Sequence, residues 1–161
     1  MSKIKEIYIS KSVTKIDILA FSRNSYLEKI TVENGNAKYY SVDNCLIETA
    51  TKRLIKGCKN SVVPNDIKII AGYAFSGNNI TTITLPESVV EIEYNAVNCY
   101  GGNLTKLIIK ATNVPQFTTN EVDGESRGLD ISYYKVYVPA GCLNAYKTLI
   151  SVWKDNIFPI S

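Results

Sequence analysis

Histidine is absent from the 161-residue chain, which removes the Ser-His and Cys-His dyads, an imidazole general base and every mixed Cys-His zinc site. GxSxG elbows and GxxxxGK phosphate loops are missing too, so the chain is expected not to be an enzyme; a Lys or Cys nucleophile would need a deep pocket and a strongly shifted pKa. Four cysteines, Cys45, Cys58, Cys99 and Cys142, stand too far apart for a CxxC knuckle or redox pair. Free buried thiols are the expectation, and a Cys45–Cys58 bridge across a hairpin is the geometric alternative. No stretch approaches the ~20 apolar residues of a membrane-spanning helix. The opening MSKIKEIYIS lacks the apolar core of a signal peptide, so the chain is either cytosolic or a segment of a longer exported protein with Met1 added. Charge of one sign is scarce as well. Eighteen basic residues against fifteen acidic ones leave a net charge of +3, and the lysines are scattered, so neither nucleic acid nor an anionic membrane is an expected partner. No cofactor or metal is implied.

What the chain does contain is repetition. Aliphatic residues fall into a template: an IxI strand, a short connector, Val or Ile, two residues, Ile, three residues, then Ala with a large apolar neighbour. One copy runs Ile7, Ile9, Val13, Ile16, Ala20, Phe21, Leu27 and into Ile30 and Val32, a 23-residue step. A second runs Val63, Pro64, Ile67, Ile70, Ala74, Phe75, Ile80 and into Ile83 and Leu85; a third runs from Leu85 and Pro86 through Val89, Ile92, Ala96, Val97 and Leu104 to Leu107 and Ile109. A fixed period of this length is the signature of a stacked array.

The spacing has a physical reading. Ile83 and Leu85 are two apart, so an extended strand turns both to one face and Thr82 and Thr84 to the other. So short a strand is stable only when the next unit lays its own alongside and shares the aliphatic ladder. Ala then lets a turn pass close to its neighbour, and Phe fills the wide part of the coil.

The segments VTKIDILAF, IKIIAGYAF and LPESVVEIEYNAV resemble the BspA-like leucine-rich repeats of bacterial surface proteins. ENGNAKYYSVDNCLIETATKRLIKGCKNSVVP resembles the hairpin-bearing unit of that family, with YYSVDNCLI and RLIKGC as two strands around TATK, and YKVYVPAGCLNAYKTLISVWKDNIFPI resembles its usual ending. The resemblance implies an α/β repeat solenoid: a right-handed leucine-rich-repeat coil with short, mainly parallel strands, irregular or short helical connectors opposite, an inserted β-hairpin and a C-terminal helical cap. It is expected as one domain over 1–161, with repeats at about 4–32, 60–85 and 86–109, the hairpin insert at 33–59, a degenerate unit at 110–138 and the cap at 139–161. Leu143, Tyr146 and Ile150 share one helical face in that cap. At the other end Ile4, Ile7 and Ile9 have no visible cover, an open edge suited to self-association.

On this reading the outward strand positions form a binding face. Its middle column is Tyr8, Thr31, Val62, Thr84, Ile108 and Tyr137. Beside it run Glu6, Lys29, Asn60, Thr82, Lys106 and Lys135. Tyr8, Lys29, Thr31, Thr82, Thr84, Lys106, Ile108, Lys135 and Tyr137 are the expected binding residues, because exposed aromatic anchors suit protein recognition. Ordinary strand propensity accounts for Thr and Tyr equally well. The pairs Tyr39, Tyr40 and Tyr133, Tyr134 are read as one ring in and one out. Glu121, Asp123 and Glu125 lack calcium-loop spacing and read as a solvated turn. Asn79-Ile80-Thr81 and Asn103-Leu104-Thr105 are sequons only in a secreting eukaryote. The resemblance implies a non-enzymatic, secreted or cell-surface module that adheres to a host or extracellular matrix protein; the alternatives are a passive spacer or scaffold of a longer surface protein and a cytoplasmic interaction domain.

Overall fold

In the segments KITV, TITL, KLII and KVYV, apolar residues two apart alternate with outward positions and the chain runs extended. A computed structural model describes residues 3–21, 24–97, 103–118 and 133–161, the side chains of 151–153 excepted. Its strands are β1 (Glu6–Ile9), β2 (Lys29–Val32), β3 (Tyr39–Val42), β4 (Cys45–Glu48), β5 (Arg53–Lys56), β6 (Ile69–Ile70), β7 (Thr82–Leu85), β8 (Glu91–Ile92), β9 (Lys106–Ile109), β10 (Gln116–Phe117), β11 (Lys135–Val138) and β12 (Ile157–Pro159). Together they wind a β-solenoid of about six turns with mainly parallel strands and one short C-terminal helix.

Each turn contributes to two walls. The front wall holds β1 beside β2, and separately β7, β9, β11 and β12 in parallel order. The back wall is one six-stranded sheet in the order β10-β8-β6-β5-β4-β3. Connectors opposite the front are therefore not irregular or helical, as expected, but carry short parallel strands. The reason lies in the V-x-x-I step, which returns a second aliphatic position to the core: Ile70 pairs with Leu54 and Ile92, and Phe117 with Ile92. Between the walls Ile30, Leu46, Leu54, Ile70, Ile83 and Leu107 are buried.

The insert departs from the expected two strands around TATK. It is a three-stranded antiparallel meander, β3-β4-β5, because Asp43 and Asn44, at φ 49° and 59°, break YYSVDNCLI into a tight two-residue hairpin. Asp-Asn between alternating apolar runs is the signal that identifies this turn.

The Ala-Phe pair behaves as the repeat requires. Tyr73 and Asn95 take left-handed φ values of 60° and 55° just before Ala74 and Ala96, and both alanines are fully buried. Neighbouring turns bond rung to rung: Gly57 N donates to Ala74 O at 3.0 Å and Phe75 N to Ala96 O at 2.8 Å. Phe75 is buried against Gly57, where any Cβ would sit 2.2 Å from Cε1 of the ring. Phe21, at the end of the array, is half-buried and Ala20 exposed.

At the C-terminal end the helix α1 spans Leu143–Leu149, and only Tyr146 is fully buried, its hydroxyl donating to Ala111 O at 2.8 Å. The cap is not solely helical, since β12 follows as a last front rung, parallel to β11. Ile160 N donates to Val138 O, which turns the nitrogen of Pro159 away from β11. Proline there leaves no N–H on the outer side of the rung.

Candidate binding face

Parallel register places most of the expected binding residues in columns. Thr84 stands opposite Ile108, and Ile108 opposite Tyr137; Thr82 stands opposite Lys106, and Lys106 opposite Lys135. Tyr8 with Thr31, and Glu6 with Lys29, form the same columns in the separate β1-β2 pair. The rung between the two groups is missing: residues 60–63, which carry Asn60 and Val62, do not form a strand. Both Tyr pairs divide as expected, Tyr39 and Tyr134 buried, Tyr40 half-buried and Tyr133 exposed.

Phe158 extends the middle column and was missed in the sequence, where the cap absorbed it; only Ile157 of its strand is buried, so no alternation marked it. It stands opposite Tyr137, with ring centroids 5.7 Å apart and planes tilted by 34°. Lys106 Nζ lies 4.5 Å from the Tyr137 centroid, and Lys135 Nζ lies 5.5 Å from that of Phe158. Each lysine thus lays its cation against the ring one strand further on, an arrangement that orders the aromatic pair while leaving it half-exposed. Lys29 and Glu6 approach to 3.9 Å, but both are well solvated, so the pair adds little stability.

The missing rung leaves a cleft of about 290 Å³. Its far side is β7, with Thr82 and Thr84; its near side is Ser61, Val62 and Val63. Buried Phe75 and Ile80 form the floor, and exposed Lys110 stands at the rim. The near side is held back by the β3–β4 turn. Val62 N donates to Asp43 O at 3.1 Å, Ser61 Oγ to Asn44 O at 2.6 Å, and Asn44 Nδ2 to Asn60 O at 3.3 Å.

Two ionic features lie behind the face. Arg53 grips Glu93 with two hydrogen bonds of 2.6 and 2.5 Å, and Gly72 N donates to the same carboxylate at 2.9 Å. Burial disfavours the Glu93 charge, yet the Arg53 and Gly72 bonds prevail and hold its pKa below the usual range. Lys56 is buried, with Nζ donating to Tyr73 O at 3.3 Å and Ser76 O at 3.1 Å; burial pulls its pKa down to about 8. Cys45 and Cys58 are free and buried, and burial pushes the Cys45 thiol up to about 12. Neither thiol nor the Lys56 amine lines the cleft or reaches solvent, so none is placed as a nucleophile.

Among the described residues no group of acidic, His or Cys side chains could hold a metal, and no helix is long and apolar enough to cross a membrane. Glu121, Asp123, Glu125 and Cys99 lie outside the described residues.

The sequence matches the family described as BspA type Leucine rich repeat region, in six copies over residues 1–53 and 54–123. Comparison with curated proteins gives no match. Among solved structures the chain is similar to the pneumococcal vaccine antigen PcpA, at 18% identity and a TM-score of 0.49 over 98% of this chain and 56% of that one. It is also similar to a leucine-rich repeat protein from Eubacterium ventriosum, at 19% identity and a TM-score of 0.47 over 84% and 42% of the two chains. The chain spans about half the length of these structures.

Proposed function

The chain belongs to the family of BspA-type leucine-rich repeats, and from that premise we propose that it is a non-enzymatic module, secreted or displayed at a cell surface, that binds a host or extracellular matrix protein through its front wall. Leucine-rich repeat domains are generally of the protein-interaction type, and the resemblance to repeats of bacterial surface proteins supports the location. One observation carries the reading. Tyr137 and Phe158 form a tilted aromatic pair on the outward side, with Lys106 and Lys135 laid against the rings. Anchors already ordered lose little conformational freedom on binding, which is what makes aromatic residues effective at interfaces.

The test replaces Tyr8, Lys29, Lys106 and Tyr137 together by Ala and measures solid-phase binding to an immobilised basement-membrane extract. At least tenfold weaker binding is expected, with a thermal midpoint within a few degrees of wild type, since all four side chains face outward. Undiminished binding by the variant, or no retention of the wild type, overturns the assignment.

A further inference from the structure

Strand β7 is the inner edge of the four-stranded front sheet, and its bonds to β9 fix the direction of every backbone group along it. Thr81 O accepts from Lys106 N at 3.2 Å and Leu85 O from Lys110 N at 3.0 Å. In a parallel ladder the two sides alternate, so the odd-numbered residues Ile83 and Leu85 bond β9, and the N–H and C=O groups of Thr82 and Thr84 point the other way. That way lies the cleft. In an unbroken solenoid residues 60–63 would meet them, but the Asp43-Asn44 turn has taken the polar groups of that segment for itself. No described residue bonds the cleft-side backbone of Thr82 or Thr84.

We propose that this cleft accepts one extended strand of a partner polypeptide, which completes the missing rung by pairing with the Thr82 and Thr84 backbone. The claim rests on the reading of the front wall as the binding face and narrows it to a peptide-docking slot. The chemistry selects the occupant. A row of free N–H and C=O groups at strand spacing is complementary to an extended backbone and to little else. Phe75 and Ile80 below offer an apolar seat for one inward side chain of the guest. Lys110 at the rim favours a guest that carries an acidic residue. Stacked rungs on both sides of the gap set the strand direction, parallel to β7.

Two measurements test the proposal. Amide hydrogen exchange on the free protein is expected to show Thr82 and Thr84 exchanging at least tenfold faster than Ile83 and Leu85; equal protection means that the edge is already paired and overturns it. Next, heptapeptides selected from a random phage-displayed library against the purified chain are expected to be extended, acidic and apolar in alternation, to protect the Thr84 amide, and to bind Thr84→Pro at least tenfold more weakly. Proline at 84 removes only the cleft-side N–H, so that variant is expected to stay folded; a collapse of its thermal midpoint shows an internal partner for that group and overturns the proposal. Peptides weakened by Tyr137→Ala but not by Thr84→Pro locate binding on the outer columns, which sinks the slot and keeps the face. Peptides weakened by neither sink both. A library that yields no binder, or concentration-dependent protection of Thr84 by a second copy of the chain, also overturns the assignment.

Discussion

Lys56 shows how a charge is kept where the ladder would take an aliphatic residue. It occupies the last position of β5, is 1% exposed, and spends its protons on the carbonyls of Tyr73 and Ser76 in the next repeat's turn. Desolvation lowers its pKa to about 8 from 10.5. Below pH 8 the amine is charged in both folded and unfolded chains and the folded state bears the whole burial penalty. Between about 8 and 10.5 the unfolded chain holds more protons than the folded one, so this group makes stability rise with pH across that window. Urea unfolding of wild type and Lys56→Met at pH 7.5 and pH 10 is expected to shift the difference between them by on the order of 2 kcal/mol in favour of wild type at the higher pH. A difference independent of pH would show that the amine stays protonated in the core.

At the scale of elements, the meander is what sets the front wall apart from an even ladder. Its Asp43-Asn44 turn needs two left-handed residues in succession, and Asn44 also bonds Asn60 O and accepts from Ser61. Asn44→Ala is expected to cost about 2 kcal/mol in urea unfolding, from a Cβ in the left-handed region and a lost hydrogen bond, while Asn44→Gly costs well under half as much. Equal costs would place the energy in the side chain's bond to Asn60 alone. The front strands were legible in the sequence because alternation at a period of two is a strong local signal, as Thr82–Leu85 and Lys106–Ile109 show. Two-residue strands such as Ile69–Ile70 were not, since so short a run carries no period and exists only through its neighbours. Residues 60–63 failed for the opposite reason. Val62 and Val63 suit a strand, but bonds to a turn nearly twenty positions earlier outweigh local preference, so neither the gap nor the cleft could be read from the sequence.

In the molecule as a whole, each unit touches only the units before and after it, so cover is unequal along the array. Tyr146 seals the C-terminal side by bonding Ala111 O, and Pro159 blunts the last rung. The N-terminal side has less: Ile4 is 49% exposed, Ile7 and Phe21 are half-buried, and β1 pairs with β2 alone, through four residue pairs to which the Glu33 carboxylate adds a bond from Lys11 N. Native-state hydrogen exchange is therefore expected to give the β7–β9 ladder at least a hundredfold more protection than β1–β2. Uniform protection would mean that the coil opens as one unit.

The Arg53–Glu93 grip stands at a place with mechanical meaning. The front is split between β2 and β7 while the rear sheet runs on, so the β5–β6 seam, only two residue pairs long, is the bridge between the two halves of the array. Lys52 with Asp66, and Arg53 with Glu93, straddle that seam like rivets. The two halves of the array are thus joined behind the cleft by paired charges as well as by the shared aliphatic core.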